Sequence, residues 1–186
     1  MANLRQNIIA LVCGTRGVGK TTYLKALIEA HRKHKKVLIF DLDDNPLFAD
    51  YPVINPKLIS KWKAGVVRII STDTEEVFQL MQKHLWNTLI IFEDATKYIR
   101  NKMPKTVETI ALASKQRNND CIFTFHGFNR ICPDFFNWAN FIEIFKTGEK
   151  IERFDYKIPN MEKVVEAKKE VDEHSSRFHH KTVRLL

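Results

Sequence analysis

Cysteine is scarce in this sequence, with three residues among 186. Cys13, Cys121 and Cys132 lie far apart, and none of them forms a Cys-x-x-Cys pair. An odd number of scattered cysteines excludes a disulfide framework. We therefore expect reduced thiols and a cytoplasmic location, because thiols stay reduced in that compartment.

Glycine and proline are also infrequent, with six residues each, which excludes a collagen-like or low-complexity chain. Long apolar runs are missing as well. The longest stretch near the start without Asp, Glu, Lys or Arg is ten residues, Gln6 to Thr15. A membrane-spanning helix needs about 18–20 apolar residues, so we predict no membrane span. The thirteen Phe and three Trp can form a sizeable core, and the length predicts one domain.

Acidic residues are outnumbered by basic ones, 22 to 30, which gives a net charge of +8. The excess is local, since residues 1–36 hold eight basic side chains and one acidic side chain. Part of it lies in the run 32–36. Cations in such a run suit the negative end of a helix dipole, so the run is typical of a solvated helix end. The total charge is thus weak evidence for nucleic-acid binding.

Short apolar runs alternate with helical segments along the chain. Continuous apolar runs predict buried strands at 7–13, 37–40, 66–70, 88–92, 121–125 and 141–145. Helical patterns cover 20–34, 73–86, 104–117 and 161–173. The alternation predicts an α/β fold, a three-layer, doubly wound, mostly parallel sheet with helices on both faces.

The remaining segments carry weaker signals. Residues 44–65 hold three prolines and predict an irregular excursion with a short helix near 57–63. We divide the chain into a core at 1–158 and a charged C-terminal helix with a tail at 159–186. The polar and basic end of that tail is expected to be flexible when the protein is alone.

The strongest motif is the run Gly14-Thr15-Arg16-Gly17-Val18-Gly19-Lys20-Thr21, which matches G-x-x-x-x-G-K-[ST]. A buried strand precedes it and a helix follows it, as in a phosphate-binding loop (P-loop). Backbone N–H groups of such a loop cradle phosphates, Lys20 reaches the β- and γ-phosphates, and the Thr21 hydroxyl binds Mg²⁺. We predict ATP and Mg²⁺ as ligands, with GTP left open, and assign nucleotide binding to Gly14, Thr15, Arg16, Gly17, Val18, Gly19, Lys20, Thr21 and Thr22.

Two acids follow the predicted strand at 88–92. Apolar residues deliver Glu93 and Asp94 to the carboxyl end of this strand, the edge where doubly wound sheets bind ligands. The pair is similar to a Walker B motif, although the usual order is Asp then Glu. By position, Glu93 is predicted to serve the metal and Asp94 to polarise the attacking water.

These motifs make the chain resemble the P-loop ATPases of the additional-strand type, in particular the FtsK/HerA-like and zonula occludens toxin-like ATPases of phage assembly and packaging. In these families a strand between the Walker A and Walker B strands ends in a polar sensor residue. Residues 121–125 would be that strand, and His126 would be the sensor. The resemblance implies a P-loop NTPase fold, ATP hydrolysis and the translocation of DNA or phage proteins in the cytoplasm, which is the host cytoplasm for a phage-encoded chain.

The family also implies partners. Its members assemble into oligomers in which an arginine of one subunit reaches the γ-phosphate bound to the next, and Arg117 is the first candidate, before Arg100 and Arg130. We therefore expect a homo-oligomer, either a ring or a dimer. Positive side chains after the acid pair are candidates for DNA contacts, namely Lys97, Arg100, Lys102 and Lys105.

A second resemblance leads to a different function. The runs 17–22 and 36–43 are similar to the ParA/MinD partition ATPases, nucleotide switches that bind DNA or a partner. These proteins place an Asp at the end of the strand beside the P-loop strand, so Asp41 becomes a candidate metal ligand. They also carry a signature Lys where this chain has Thr15. A small-molecule kinase is a third alternative, which the lack of an Arg-rich lid between about 93 and 135 disfavours.

Overall fold

The computed structural model describes residues 7–99, 102–151 and 158–186. The strands are β1 (Ile9–Cys13), β2 (Lys36–Phe40), β3 (Val66–Ile69), β4 (Thr88–Phe92), β5 (Asp120–Phe125), β6 (Phe141–Phe145) and β7 (His180–Arg184). The α-helices are α1 (Lys20–His31), α2 (Thr74–His84), α3 (Lys105–Leu112), α4 (Ser114–Arg117) and α5 (Met161–Glu173). The six predicted strands and the four longer predicted helices are confirmed, with shifted ends and with the helical segment 104–117 divided between α3 and α4.

The strands form one sheet in the order β3-β2-β4-β5-β1-β6-β7. All neighbouring pairs are parallel except β6 and β7, which are antiparallel. The prediction of an α/β, mostly parallel sheet is therefore confirmed. Strand β5 lies between β1 and β4, which is the arrangement of the additional-strand ATPases.

Helices cover both faces of the sheet. On one face Leu24 and Ile28 of α1 pack against β-strand residues such as Val12. On the other face α2, α3 and α5 contribute to a larger apolar cluster. In that cluster the rings of Phe92 and Phe123 stack at a centroid distance of 4.3 Å, so the centres of β4 and β5 are held together by their side chains as well as by the backbone ladder.

The register of the sheet brings four strand ends to one level. Cys13 is paired with Phe125, and Phe92 is paired with both Phe123 and Phe40. These pairs are the last residues, or nearly the last, of β1, β5, β4 and β2. Because the four strands are parallel, the segments that follow them all leave from the same edge of the sheet.

The segment at 44–65 has no α-helix, so the helix expected near 57–63 is wrong. Instead it forms two short 3₁₀ turns, Pro46–Phe48 and Pro56–Leu58. Each turn begins after an asparagine whose side chain accepts a hydrogen bond from the backbone two residues on, 2.9 Å in the case of Asn55 and Lys57. Proline and asparagine favour this tight turn, which satisfies the local backbone without a longer helix.

The C-terminal end differs from the flexible tail that we expected. Residues 180–184 form β7, which pairs antiparallel with β6 at the edge of the sheet. Val183 and Leu185 are buried, while Arg184 and Leu186 between and after them are exposed. This alternation is the pattern of a half-buried strand, and the many polar residues around it concealed the pattern in the sequence. No helix within the described ranges is long and apolar enough to cross a membrane.

The neighbouring Leu185 and Leu186 test whether the C-terminal end is part of the fold. Leu185 is 3% exposed and Leu186 is 52% exposed. We expect Leu185→Ala to lower the free energy of unfolding by about 2–5 kcal/mol, because it leaves a cavity against the sheet. The matched Leu186→Ala should change it by less than about 0.5 kcal/mol. Urea denaturation followed by circular dichroism measures both, and equal small effects would contradict the packed strand.

Candidate active site

A cavity of about 500 Å³ lies at the carboxyl edge of the sheet, above the ends of the parallel strands. Part of the P-loop forms one wall, with Arg16, Gly17, Gly19, Lys20, Thr21 and Thr22. Outside the P-loop, the lining residues follow β2, β4 and β5 or precede β7. They are Asp41, Leu42, Asp43, Asn45, Glu93, Asp94, Lys97, His126 and Phe178.

The P-loop connects the end of β1 to the start of α1. Gly17 and Gly19 have φ of 76° and 97°, a left-handed conformation that glycine adopts without steric cost. Gly14 is tightly packed, since a Cβ at this position would lie 2.5 Å from the Cβ of Phe145. Thr15 is anchored outside the cavity, where its N–H donates to the carbonyl of Lys146 at 3.0 Å. The loop is thus shaped by β6 as well as by its own glycines.

The first turn of α1 points its backbone N–H groups at this cavity. Gly19 precedes the helix and has no side chain to cap it, and the first turn holds no acidic residue. The helix N-terminus is therefore left for an external anion, which its dipole favours. Thr21 and Thr22 line the cavity from this turn, whereas Val18 packs into the core and faces away.

The ammonium of Lys20 lies inside the loop. Its Nζ donates to the carbonyls of Gly14 and Thr15 at 2.6 and 2.8 Å. Burial lowers the pKa of Lys20, and the negative charges of Glu93 and Asp94 partly oppose this shift. A phosphate in the loop would replace two neutral acceptors by a charged one, which is a stronger partner for an ammonium group.

Glu93 follows β4 and is largely buried at the floor of the cavity. Its Oε2 accepts a hydrogen bond of 2.8 Å from the hydroxyl of Thr124, and its Oε1 lies 3.5 Å from Nδ2 of Asn45. Burial raises the pKa of Glu93 above its ordinary value, while the Thr124 hydroxyl and the ammonium of Lys20 act in the opposite direction. The carboxylate thus faces the P-loop lysine with few other partners.

Asp94 adopts a left-handed conformation, with φ of 42°, and its N–H donates to the Thr124 hydroxyl at 2.7 Å. Its carboxylate accepts from the hydroxyl of Thr96 at 2.7 Å and lies 3.2 Å from Nε2 of His126. Burial would raise the pKa of Asp94, but the hydrogen bonds from His126 and Thr96 outweigh it and hold the pKa below its ordinary value. Asp94 is therefore the more acidic member of the acid pair.

Thr124 connects the two acids, and the sequence reasoning missed it. Its hydroxyl donates to Glu93 and accepts from the backbone of Asp94, so one side chain of β5 orients both residues that follow β4. The residue is 1% exposed. A polar residue one position before the end of an apolar strand was the available signal, but its partners depend on which strand lies next to β5.

His126 leaves the end of β5 and meets Asp94, as described above. Its Nδ1 is buried and has no hydrogen-bond partner among the residues that the structure describes. The predicted sensor and the predicted water-polarising acid are thus brought together by the pairing of β4 with β5. His126 also lines the cavity, so it lies between the acid and the phosphate-binding loop.

Asp41 reaches the edge of the cavity but is already occupied. Its Oδ2 accepts from the backbone N–H of Asn45 at 2.8 Å and lies 3.3 Å from Nη1 of Arg68. Both side chains of this ion pair are buried, and Arg68 also donates to the carbonyl of Tyr51. Asp41 therefore neutralises a buried arginine of β3, and its role as a metal ligand stays a prediction.

Lys97 is placed differently from our prediction of a DNA contact. Its ammonium forms ion pairs with Asp43 and, at 3.0 Å, with Asp94, so it lies in the cavity. Burial and the charge of Arg16 lower the pKa of Lys97. Lys97, Asp43 and Asn45 were not predicted as site residues, since only the side-by-side position of β2 and β4 brings their loops together.

The other basic candidates lie outside the cavity. Arg117 is at the opposite, amino edge of the sheet, where its guanidinium lies 4.9 Å from the centroid of the Trp86 ring and 3.5 Å from the carbonyl of Leu85. Arg117 precedes β5 rather than follows it, so the structure does not bring it to the cavity of its own chain. A role of Arg117 in a neighbouring subunit stays a prediction. Lys102, Lys105 and Arg130 are exposed, and Arg100 lies outside the described residues.

The residues present fit a magnesium ion. Mg²⁺ prefers oxygen ligands and usually takes one or two from the protein together with phosphate oxygens and water. Thr21 and Glu93 line the same cavity and offer a hydroxyl and a carboxylate. The described residues hold no cluster of three or more His, Cys, Asp or Glu side chains arranged for a metal. An ion held mainly by a nucleotide needs no such cluster.

Comparison with known proteins supports the fold. No curated protein matches the chain. The genome packaging NTPase B204 from Sulfolobus turreted icosahedral virus 2, in complex with ATP-gammaS, superposes with a TM-score of 0.76 at 16% identity over 96% of this chain and 92% of that chain. Its complex with AMPPCP gives 0.75 at 18% identity over 97% and 98%.

A more distant structure is the N-terminal domain of zonular occludens toxin from Neisseria meningitidis. It has a TM-score of 0.49 at 12% identity over 97% of this chain and 95% of that chain, and it adds no support of its own. At these identities the solved structures establish the P-loop NTPase fold. The family model described as AAA domain matches residues 6–122, more than half of the chain. This chain therefore belongs to the AAA domain family.

Proposed function

We propose that this chain is an ATP-hydrolysing motor that translocates or packages DNA. The observation that carries the proposal is the convergence of Lys20, Glu93, Asp94 and His126 on one cavity at the carboxyl edge of the sheet. A phosphate-binding loop alone binds nucleotide. A loop that faces two carboxylates in different electrostatic environments is equipped for hydrolysis as well.

Different groups of the chain carry out the separate tasks of ATP binding and hydrolysis. The N–H groups of the P-loop and the ammonium of Lys20 bind and neutralise the phosphates. Thr21 and Glu93 are the groups that would hold Mg²⁺, which screens phosphate charge when bound. Asp94, whose pKa is lowered by the hydrogen bonds from His126 and Thr96, accepts a hydrogen bond from the attacking water and orients it towards the γ-phosphate.

The structural neighbours support the choice of DNA packaging over other tasks of this fold. The B204 protein is a genome packaging NTPase, and its complexes contain ATP-gammaS and AMPPCP. By analogy we propose ATP as the nucleotide, action in the cytoplasm and a homo-oligomeric assembly. In such an assembly Arg117 stays the first candidate to approach a neighbouring subunit's nucleotide, and the exposed Arg130 is a second candidate.

The partition-type alternative has weaker support. It requires the strand that ends at Asp41 to lie next to the P-loop strand. In the sheet β2 neighbours β3 and β4, and both β4 and β5 separate it from β1. Asp41 is moreover engaged with Arg68. These two observations favour the motor.

Substitution of Asp94 tests the proposed hydrolysis. Asn also tolerates a left-handed backbone, so Asp94→Asn removes the charge with little change of shape. We expect kcat for ATP to fall by about 10²–10⁴-fold while ATP binding persists, because a water-orienting group is lost. Phosphate release and equilibrium binding measure the two effects.

The control for this test is Asp50→Asn. The side chain of Asp50 is 79% exposed and forms a surface ion pair with Lys25. It should hydrolyse ATP at the wild-type rate. An Asp94→Asn protein with the same rate as this control would contradict the role of Asp94.

The pH dependence of hydrolysis tests the role of Glu93. The metal-binding form of Glu93 is the carboxylate, and burial raises its pKa, so activity should fall as the pH drops through that raised pKa. Thr124→Val removes a hydrogen bond that lowers the Glu93 pKa, and it should therefore shift the acidic limb of kcat/KM to higher pH. Thr109→Val is the control, since the Thr109 hydroxyl donates to the Lys105 carbonyl of its own helix, away from the acid pair. Superimposable profiles for all three proteins would exclude Glu93 as the titrating group.

Salt dependence tests the DNA contacts. Lys102 and Lys105 remain as exposed candidates, because Lys97 is engaged in the cavity. Each phosphate contact contributes about 0.9 to the slope of log K against log salt for duplex DNA. Lys102→Gln combined with Lys105→Gln should reduce that slope by about 1.8, measured by fluorescence anisotropy with a labelled duplex.

The matched control carries Lys163→Gln and Lys169→Gln, two exposed residues of α5. This variant should keep the wild-type slope. If the two double variants give the same slope, the segment after the acid pair is not the DNA-binding surface.

A further inference from the structure

We propose that Phe178 forms the stacking wall of a nucleobase subsite beside the P-loop, which takes the aromatic base of a nucleoside triphosphate. The inference rests on the proposed function and adds the part of the site that recognises the base. It depends on where Phe178 lies, on what holds it there and on the chemistry of the rest of the cavity.

Phe178 is an exposed aromatic side chain at the mouth of the cavity. Its side chain lines the same cavity as Lys20 and Thr22, and the residue is 54% exposed. The ring lies directly against the phosphate-binding loop, since a Cβ at Gly19 would be 3.2 Å from its Cδ1. A large apolar side chain left half in water beside a polar cavity is a candidate contact for a ligand.

The order of the strands separates this ring from the acids. Glu93 and Asp94 follow β4, on the β5 side of the P-loop strand, whereas Phe178 precedes β7, on the β6 side. A triphosphate in the loop with its γ-phosphate towards the acids has its base on the opposite side. The base therefore emerges where Phe178 lies.

Several contacts hold the segment that carries Phe178. The N–H of Phe178 donates to the hydroxyl of Ser176 at 3.2 Å, and the ammonium of Lys146 bonds to the carbonyl of His174. Two residues after Phe178, His180 enters the sheet opposite Phe145. Phe145 packs against the P-loop, and the carbonyl of Lys146 anchors this loop. Strand β6 therefore fixes the P-loop and the ring of Phe178 relative to each other.

Besides Phe178, the described lining residues offer one other aromatic ring, the imidazole of His126, which already contacts Asp94. Among the described lining residues the others are glycines, threonines, charged or amide side chains, a histidine and Leu42. The polar groups suit phosphates and a metal ion. An aromatic ring instead stacks on the flat face of a base, a contact that tolerates any base because each has a π-face.

Binding measurements with and without a base test the subsite. Isothermal titration compares Mg-ATP with inorganic tripolyphosphate for the full-length wild type, Phe178→Ala and Phe178→Tyr. We expect Phe178→Ala to weaken ATP binding by about tenfold and to leave tripolyphosphate binding unchanged. Phe178→Tyr should restore ATP binding because it restores the ring, and GTP should be affected in the same way as ATP.

The control is Trp86→Ala, which removes another exposed aromatic side chain, 53% exposed, at the opposite edge of the sheet. It should bind ATP like the wild type. Equal losses for ATP and tripolyphosphate in Phe178→Ala would overturn the inference, since Phe178 would then support the loop. Unchanged ATP binding in Phe178→Ala would overturn it as well.

The same titrations separate this inference from the proposed function. A wild type that binds ATP through Phe178 but releases no phosphate would refute the motor and keep the subsite. A wild type that hydrolyses ATP with no contribution from Phe178 would keep the motor and refute the subsite. A wild type that binds neither ATP nor tripolyphosphate would overturn both.

Discussion

The parallel pairing of β5 with both β1 and β4 is the constraint on which the site depends. It places the end of the P-loop strand and the end of the acid-bearing strand on either side of one strand, at one level of the sheet. Thr124 and His126 then reach the acids from that central strand. Without β5 in this position, Glu93 and Asp94 would have neither the hydroxyl that orients them nor the imidazole that lowers the pKa of Asp94.

The site also depends on the opposite side of the P-loop strand. Phe145 and Lys146 at the end of β6 contact Gly14 and Thr15, so the loop is supported by a strand far away in the sequence. Strand β7 covers the outer edge of β6, where Glu143 accepts from the hydroxyls of Thr182 and Tyr23 at 2.5 and 3.2 Å. This buried network ties the C-terminal end to α1. The C-terminal residues are thereby part of the structure that supports the P-loop.

Both lysines of the cavity have partners within this structure. Lys20 lies among loop carbonyls and near two acids, and Lys97 bridges Asp43 and Asp94. Burial lowers the pKa of both lysines and raises that of Glu93, whereas hydrogen bonds lower that of Asp94. Two neighbouring carboxyl groups thus differ in their affinity for protons because desolvation dominates at Glu93, whereas hydrogen bonds outweigh it at Asp94. An incoming triphosphate would redistribute these contacts rather than enter an uncharged space.

The sequence alone determined the local features: the P-loop, the acid pair after β4, and each of the strands from β1 to β6. These follow from glycine spacing and from continuous apolar runs, which depend on neighbouring residues only. Tertiary structure decided which loops meet. The partners of Thr124, the engagement of Asp41 by Arg68, the place of Lys97 in the cavity and the distance of Arg117 from it all depend on the order of strands in the sheet. Strand β7 and Phe178 escaped prediction for the same reason, because a short polar strand gains its stability from β6 and only that pairing carries the ring to the P-loop.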